Sequence, residues 1–595
     1  MRNIKCLLAV SAALVCFNAA NAAPDNSASW VDVSNANTNR LIEAQAKFVP
    51  EQASSFGLAQ YDGLAIDLGP HIDERLIASM QLVRADLKKR QLEEKDARVR
   101  QDIDILIASI DNDITSTQLE NKYLLPWSDL PQLMFGSMLD LLQEQLPAER
   151  RAKALERLQR YVGIYPGSES VTKQAEARFM EKLGKPGLLG PTKERVDKSL
   201  TNVPTYIKGI RDLFAKMKIE GAEPTLAAME KQLNDYAAWE RAKVLPVARE
   251  DFKLPPELYA LSLKQMGINI DPQLLIQRAQ VEFMETRSAL QQIAPVVAKK
   301  LAIDASDYRD VIRAMKKNTI PNDQLEAFYK KVNVTLEEAI RTGKIVEVPN
   351  RPMIMRLASD AESAAQPAPH FQPPQLIGNT GEQGQFILPV GNPAAAGKSE
   401  SYDDFNFPGA AWTLSAHEGR PGHELQFSAM IEHGVSQARS LYAFNSVNVE
   451  GWALYAEAEM VPFEPAEGQM IALQLRLLRA ARAMLDPMLN LGLITREEAG
   501  RILTDEVLIS PAMARQELDR YTLNMPAQAG SYFYGYSRLL QLRAETELAL
   551  GAKFDRFAFN NFLLSQGLLP PDLLAKAVRE EFVPAQKAKA VLAKN

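Results

Sequence analysis

Two histidines and two glutamates form the cluster of residues best suited to metal chemistry. The stretch His417-Glu418-Gly-Arg-Pro-Gly-His423 holds two imidazoles six positions apart, and Glu450 follows further along the chain. A zinc hydrolase needs three protein ligands, an open fourth position and a nearby carboxylate that takes a proton from water. We therefore predict that His417, His423 and Glu450 bind Zn²⁺, and that Glu418 is the general base.

The spacing of the two histidines requires a break in the backbone. In the usual helical solution, H-E-x-x-H, the histidines are four residues apart and share one face of the helix. Six residues of an unbroken helix turn through ~600°, which would leave the two rings ~120° apart. Pro421-Gly422 lies inside this gap. Proline interrupts a helix and glycine permits unusual dihedrals, so we expect a kink or bulge that turns His423 towards His417.

Glu450 and Glu457 are seven residues apart, so a helix would place both carboxylates on one face among apolar neighbours. Burying an unpaired acid is costly, and each carboxylate therefore needs a partner. For Glu450 we favour the metal over a salt bridge to Arg479 or Arg482. Glu457 fits two roles equally well: it either orients a ligating histidine or forms a salt bridge.

Three segments resemble one bacterial family: HEGRPGHELQ at 417–426, EGWALYAE at 450–457 and PAQAGSYFYG at 526–535. The family is known as domain of unknown function 885 and is placed among zincin-like metallopeptidases. The similarity extends to 517–521 and 554–559 and covers most of the chain. It implies a long helical zincin-like fold, a zinc ion and hydrolase activity, usually expected to be peptidase activity. The order of elements also resembles that of helical carboxypeptidases of the angiotensin-converting type.

The sequence departs from the family pattern at three positions. Glu424 stands where the family commonly has a second histidine after Pro-Gly, which leaves His423 as the candidate ligand there. Ala527 replaces a glycine, and Asn490 occupies a position where a histidine is often found.

An oxyanion donor and a substrate-binding cation are also expected near the metal. We predict that Tyr532, in a loop of small residues, donates to the oxyanion, with Tyr534 and Tyr536 as rivals. Each of these tyrosines could instead be a packed aromatic residue. The arginines that could hold a substrate carboxylate are Arg479, Arg482, Arg520 and Arg543.

The first 22 residues have the pattern of a secretory signal peptide. A basic start at Arg2 and Lys5 is followed by an apolar run and by Ala20-Asn21-Ala22, a small-residue cleavage signal. The apolar run is short for a membrane anchor, which needs ~20 residues. A lipoprotein would need Cys16 as its acylated residue, but no small residue directly precedes it. We therefore expect a periplasmic or secreted protein, and a lipoprotein is the less favoured alternative.

Charge and cysteine content exclude several classes of function. Both cysteines lie inside the predicted leader, so the mature chain would have no disulfide, no thiolate metal site and no cysteine nucleophile. The formal net charge of −6 becomes about −8 when the leader is removed, which argues against nucleic acid as a partner. No later apolar run is long enough to span a membrane.

Apolar residues at three- and four-residue spacing predict a mainly α fold. The helical segments are expected at 75–110, 132–162, 205–214, 225–245, 271–301, 325–342 and from Ala411 onward, with Thr335 as a helix cap. Recurring prolines between about 345 and 410 predict strands at 344–348, 353–357 and 385–390, and loops at 363–369 and 393–399. We expect a single zincin-like domain over 23–595, with a helical part to 344, this strand and loop segment, and a catalytic helical part from 411.

Three further histidines are interpreted as structural. His433 is expected at a helix end and His71 in a turn. His370, between Pro369 and Phe371, could line a cleft, but we favour a loop residue. The sequence thus predicts a zinc metallopeptidase acting on peptides. A zinc esterase or amidase with a non-peptide substrate, or a catalytically silent envelope binding protein, remains open, as do the oligomeric state and the choice between exo- and endopeptidase.

Overall fold

The structure is a computed structural model that describes residues 29–392 and 400–592. The predicted signal peptide with both cysteines, and the predicted loop at 393–399, lie outside these ranges. Within them, no helix combines the length and the apolarity needed to cross a membrane.

The N-terminal part of the chain is helical throughout. Its helices are α1 (Trp30–Gln45), α2 (Pro50–Phe56), α3 (Ile72–Glu93), α4 (Ala97–Tyr123), α5 (Leu130–Leu141), α6 (Ala148–Tyr161), α7 (Val171–Lys182), α8 (Lys193–Lys216), α9 (Glu223–Trp239), α10 (Pro256–Gln265), α11 (Pro272–Leu301), α12 (Tyr308–Lys316) and α13 (Asn322–Gly343).

Short strands follow: β1 (Ile354–Leu357), β2 (His370–Gln372), β3 (Gln385–Leu388), β4 (Gly391–Asn392) and β5 (Glu400–Ser401). One short helix, α14 (Asp360–Ala365), lies between β1 and β2. The first sheet has the order β1-β3-β2, with β1 parallel to β3 and β2 antiparallel to it. Because β3 lies in the middle of this sheet and is buried throughout, β2 forms an edge.

The C-terminal part returns to helices. They are α15 (Pro408–Glu418), α16 (His423–Glu432), α17 (Ser446–Met460), α18 (Ala466–Asn490), α19 (Arg496–Arg501), α20 (Pro511–Asp519), α21 (Ser531–Leu550), α22 (Arg556–Ser565), α23 (Pro571–Ala577) and α24 (Val583–Leu592). The prediction of a mainly α fold is confirmed.

The largest apolar core lies where the helices that carry the predicted site pack together. Leu414 of α15, Leu454 of α17, Leu477 of α18 and Leu539 of α21 all belong to it. A second, smaller core holds together the helices from α5 through α9. A third core joins α1, α3 and α4. Burial of their apolar faces in one core holds the helices of the site in fixed relative positions.

Three local predictions are wrong. Residues 344–348 form no strand, because the Ile345 carbonyl accepts a hydrogen bond from the Asn560 side chain, and the Glu347 amide donates to Asn561. Thr335 lies inside α13 and bonds to the carbonyl of Lys331 one turn back, so it caps nothing. The segment expected to be a loop at 363–369 includes the end of α14, a helix capped by Ser359.

Candidate metal centre

The backbone between His417 and His423 is a connection between two separate helices, whereas the sequence predicted a kink or bulge in one helix. Helix α15 ends at Glu418 and α16 begins at His423, and the intervening Arg420–Pro421 peptide bond is cis. A Cβ atom added to Gly422 would lie 1.9 Å from the carbonyl oxygen of His417. The chain therefore folds back onto the end of α15 so closely that only glycine fits there, and this brings the two imidazoles together.

This connection is fixed by bonds to three other parts of the fold. Trp452 of α17 donates its indole N–H to the Pro421 carbonyl at 3.0 Å. The Arg420 guanidinium pairs with Glu424 and reaches Glu337 of α13 at 3.1 Å. The bond from Trp452 links the loop directly to the helix that carries Glu450, so the positions of the histidines and of the glutamate are coupled.

The side chains of His417, His423 and Glu450 converge on one point. Their potential ligand atoms all lie within 4.8 Å of one another. Glu450 Oε2 is 3.4 Å from His417 Nε2 and 3.3 Å from His423 Nε2. Two ligands of a tetrahedral zinc ion with bonds of ~2.0–2.1 Å stand roughly 3.3–3.4 Å apart, so the residues present fit this ion. The predicted convergence across the Pro-Gly interruption is found in the structure.

The electrostatics of the three side chains also favour a cation. Burial acts to raise the pKa of Glu450, but the imidazoles of His417 and His423 outweigh it and hold that pKa well below its usual range. Burial acts to lower the pKa of His417, and the carboxylates around it reverse this and raise it to about 9. A carboxylate that stays ionised between two buried imidazoles is a strong ligand for a divalent ion.

Glu457 makes the contacts expected for both roles left open by the sequence. Its carboxylate accepts a hydrogen bond from His417 Nδ1 at 2.6 Å and from the Thr413 hydroxyl at 2.8 Å. Arg479 donates to the same carboxylate at 3.1 Å. With Nδ1 engaged in this way, Nε2 of His417 is the atom presented to the metal position. The salt bridge that the sequence suggested for Glu450 forms at Glu457 instead.

Replacing Glu457 should weaken metal binding without abolishing it. We expect Glu457→Gln to lower zinc affinity by ~10–100-fold, the usual cost of losing a carboxylate that holds a ligating histidine. Competition with a zinc chelator measures this affinity. Glu464→Gln is the matched control, because burial raises the pKa of this glutamate to about 8 and it is already neutral near pH 7. Equal affinities in both variants would contradict the positioning role of Glu457.

Glu418 stands beside the metal position with its carboxylate directed into a cavity. Glu418 Oε1 is 4.0 Å from His417 Nε2, and the residue is 7% exposed. None of the described residues donates a side-chain hydrogen bond to it. The cavity has a volume of about 640 Å³ and is lined by His417, His423, Glu450 and Tyr532 as well as by Glu418. This carboxylate can therefore accept a proton from a water molecule held between it and the metal position.

Tyr532 reaches the site because two helices cross at unusually short range. A Cβ atom on Gly451 of α17 would lie 2.6 Å from the backbone carbon of Gly535 of α21, and one on Gly535 would lie 2.1 Å from the Val447 carbonyl oxygen. Only glycines allow this contact. It places the Tyr532 ring 6.1 Å from the His417 ring and nearly parallel to it, at 14°.

The rival tyrosines point elsewhere. The Tyr534 hydroxyl bonds to Asn269 and to Arg538, and the ring of Tyr536 lies under Arg476. Neither tyrosine lines the cavity. Among the three candidates, only Tyr532 is positioned to donate to a group bound at the metal.

The departures from the family pattern lie beside the ligand cluster and not in it. Glu424 is fully buried and bonds to Arg420 and Ser428. Asn490 donates to the carbonyl of Tyr521 and to Asp486 in the same helix. Ala527 adopts a left-handed conformation with φ of 77°, which is the backbone that glycine accepts most easily.

For His370 the favoured prediction of a loop residue is wrong, and the alternative, a residue that lines a cleft, is found. It belongs to strand β2 and lines the cavity, with its Nδ1 atom 2.9 Å from the Ala368 carbonyl oxygen. Phe371, the next residue, stacks on the His423 ring at 6.3 Å. The edge strand β2 therefore forms a wall of the site. The prolines that flank it had favoured a loop in the sequence. His433 lies at the end of α16 and His71 lies in a turn before α3, both as expected.

The sequence of the chain matches the model of one protein family. The family model described as "Bacterial protein of unknown function (DUF885)" matches residues 50–578. The chain belongs to this family. The resemblance drawn from the motifs is thereby confirmed. A comparison with curated proteins gives no match.

Two solved structures share the fold of this DUF885 protein. A "putative lipoprotein of unknown function" from Shewanella oneidensis has a TM-score of 0.69 and 20% identity, covering 93% of this chain and 100% of that one. A "putative lipoprotein" from Colwellia psychrerythraea has a TM-score of 0.74 and 16% identity, covering 93% of this chain and 99% of that one. At these identities the likeness concerns the fold alone.

Proposed function

We propose that this protein is a zinc-dependent hydrolase, and specifically a metallopeptidase. The observation that carries the proposal is the spacing of three ligand atoms: Glu450 Oε2 lies 3.3–3.4 Å from Nε2 of both His417 and His423. A structural zinc site closes its fourth position with another protein ligand, whereas this one opens onto a cavity beside a free carboxylate. An open fourth position is the mark of a catalytic site.

Zinc held in such a site supplies Lewis acidity, which polarises a carbonyl and makes water easier to deprotonate near neutral pH. Glu418 takes the proton from the attacking water and passes it to the leaving amine. Tyr532 donates its hydroxyl to the oxyanion that develops on the scissile carbonyl. The hydrogen bond from His417 Nδ1 to Glu457 fixes the orientation of the His417 ring relative to these groups.

A peptide is favoured as substrate by the walls of the cavity. Seven neutral amide side chains line it: Gln52, Gln143, Gln145, Gln366, Gln372, Gln375 and Gln383. Each glutamine offers donors and an acceptor, which matches the alternating N–H and C=O groups of a peptide backbone. The volume of about 640 Å³ accommodates several residues.

We also propose that the protein acts in the periplasm or outside the cell. The signal-peptide pattern of residues 1–22 supports export. The two similar structures are described as putative lipoproteins, which agrees with a location in the cell envelope. Peptides in that compartment are the substrates to test first.

Removing the Tyr532 hydroxyl should slow the chemical step. We expect Tyr532→Phe to lower kcat by ~10²–10³-fold while KM changes little, because the hydroxyl acts on the charge of the transition state. Steady-state kinetics on a cleaved peptide measure both constants. Tyr534→Phe is the matched control and should retain kcat, since its hydroxyl points away from the cavity. An unchanged kcat for Tyr532→Phe would exclude it as the oxyanion donor.

The proposal as a whole is tested by digesting a peptide library with zinc-loaded protein, with chelator-treated protein and with protein reloaded with zinc. Hydrolysis that disappears on chelation and returns with zinc supports a metallopeptidase. A parallel screen of ester and non-peptide amide substrates separates the alternative hydrolase classes. Absence of any hydrolysis by fully loaded protein would contradict the proposal and favour a silent binding protein.

A further inference from the structure

Three arginines surround the Tyr532 ring at one side of the cavity. The guanidinium carbon lies 4.6 Å from the ring centre for Arg482, 5.4 Å for Arg520 and 5.9 Å for Arg479. All three line the same cavity as the metal position. Because Tyr532 also stacks on His417, this arginine cluster lies next to the place where a scissile bond would be held.

Two of these arginines already have carboxylate partners. Arg482 donates through Nε and Nη2 to both oxygens of Glu517, at 2.7 and 2.6 Å. The charge of Arg482 outweighs the effect of burial and lowers the pKa of Glu517 to about 2, so the pair stays ionised. Arg479 donates to Glu457, the carboxylate that positions His417. Both arginines are therefore committed to holding the site together.

Arg520 has no such partner. Its Nη2 atom donates to the neutral hydroxyl of Tyr532 at 2.8 Å, and its contact with Glu517 is 3.8 Å, beyond hydrogen-bond distance. Within the described residues its Nε and Nη1 atoms make no hydrogen bond, and the side chain is 18% exposed towards the cavity that it lines. Arg520 thus has unused N–H donors on Nε and Nη1, and the second N–H of Nη2 can form a fork with one of them.

The charges of the cluster are unequal. Three guanidinium groups share the two carboxylates with which they form ion pairs, Glu517 and Glu457, so the ion pairs of the cluster contain one more cation than anion. Glu418 and Glu450 face the metal position, where a divalent ion would balance them, and Asp140 and Glu382 line the cavity as well. An uncompensated buried charge is costly, and a planar guanidinium is best compensated by a carboxylate bound through two parallel hydrogen bonds.

We propose that Arg520 binds the C-terminal carboxylate of peptide substrates, so that the enzyme is a carboxypeptidase. The inference rests on the proposed hydrolase function and names its substrate class. Tyr532 contacts both Arg520 and His417. Its ring centre is 5.4 Å from Arg520 Cζ and 6.1 Å from the centre of the His417 ring. An extended residue spans roughly 3.3–3.6 Å, so one to three residues fit between the scissile carbonyl and the bound carboxylate.

The reaction is ordinary amide hydrolysis. Water adds its hydroxyl to the scissile carbonyl carbon, the C–N bond breaks, and the remaining proton goes to the leaving nitrogen. The products are a shortened peptide that ends in a new carboxylate and a fragment of one to three residues with a free amine. The rest of the peptide extends past His423, where Phe371, Phe427 and Val449 give the cavity an apolar wall.

A binding experiment tests the carboxylate site independently of hydrolysis. Zinc-loaded Glu418→Gln protein is titrated calorimetrically with one peptide as its free acid, as its C-terminal amide, and as an amide whose last residue is glutamate. The free acid should bind roughly 10–100-fold more tightly than the plain amide, the usual effect of a charge-assisted hydrogen-bond pair. Equal affinities would overturn the proposal. Tight binding of the glutamate amide would also overturn it, by assigning the site to a side-chain carboxylate.

Variants locate the effect at Arg520. Arg520→Ala should abolish the preference for the free acid, and Arg520→Lys should restore only part of it, because an ammonium cannot form the forked pair. Arg476→Lys is the matched control: Arg476 lies on α18 and pairs with Glu282 outside the cavity, so the preference should remain. A preference that survives Arg520→Ala would contradict the assignment.

Product analysis separates this inference from the proposed function. Mass spectrometry of wild-type digests should show fragments of one to three residues released from free-acid peptides and little cleavage of the amides. If both peptides are cut and bind alike, hydrolysis stands and the carboxylate site fails. If neither is cut but the free acid still binds in preference, the carboxylate site stands and the hydrolase proposal fails.

Discussion

Glu418→Gln is expected to keep its zinc and to lose peptide hydrolysis by ~10²–10⁴-fold, the usual contribution of a positioned general base. Glu418 Oε1 lies 4.0 Å from His417 Nε2, but Glu418 is not one of the three residues whose potential ligand atoms all lie within 4.8 Å of one another, so we expect it to share a water molecule with the metal position and not to bind the metal. Glutamine has the same shape and cannot accept the proton. The effect should therefore appear in kcat, with zinc content unchanged.

The measurement pairs metal analysis by mass spectrometry with steady-state kinetics on the same preparation. Glu432→Gln is the control, because this glutamate lies at the far end of α16 and does not line the cavity. It should retain full activity. Turnover by Glu418→Gln at the wild-type rate would remove Glu418 as the base, and loss of zinc would reassign it as a ligand.

Glu450→Ala should lose the metal. Its carboxylate is the only anionic member of the three-residue ligand set found in the described residues, and it stands between the two imidazoles. Without it, only the two imidazole nitrogens remain, and zinc affinity should fall by more than the ~10–100-fold expected for Glu457→Gln. Purified Glu450→Ala protein should contain almost no zinc after desalting and should show no activity.

Glu459→Gln on the same helix is the matched control for this loss. Glu459 pairs with Arg543 and Arg556, away from the cavity, so the variant should retain one zinc ion per chain. Circular dichroism should show helical content like that of the wild type for Glu450→Ala, which distinguishes loss of a ligand from loss of the fold. Full zinc occupancy in folded Glu450→Ala protein would place the third ligand elsewhere.

The clustering of His417, His423 and Glu450 was predictable from the sequence because a zinc site restricts the choice of residue types. Few histidines occur in the chain, and the pair at 417 and 423 has a carboxylate beside it and a Pro-Gly break within it. The mainly α fold was also predictable, because the helical periodicity of apolar residues is local. The conformation of the break was not, since it depends on contacts of Arg420 and Pro421 with distant helices.

What the sequence did not show are features that depend on distant parts of the chain. The crossing of Gly451 and Gly535 brings Tyr532 to the candidate metal position, yet each glycine alone looks like an ordinary helix position. Residues 344–348 have the composition of a strand, but their backbone bonds to asparagine side chains of α22. His370 lines the cavity because its strand, β2, pairs with β3. The prolines on both sides of β2 favoured a loop at this position, so the strand was not expected from the sequence.

The most direct test of the central claim is anomalous X-ray diffraction at the zinc absorption edge from crystals of the zinc-loaded protein. We predict a single strong peak ~2.0–2.2 Å from Nε2 of His417, Nε2 of His423 and a carboxylate oxygen of Glu450. A fully loaded crystal with no peak at that point, or with its zinc bound by other residues, would contradict the account.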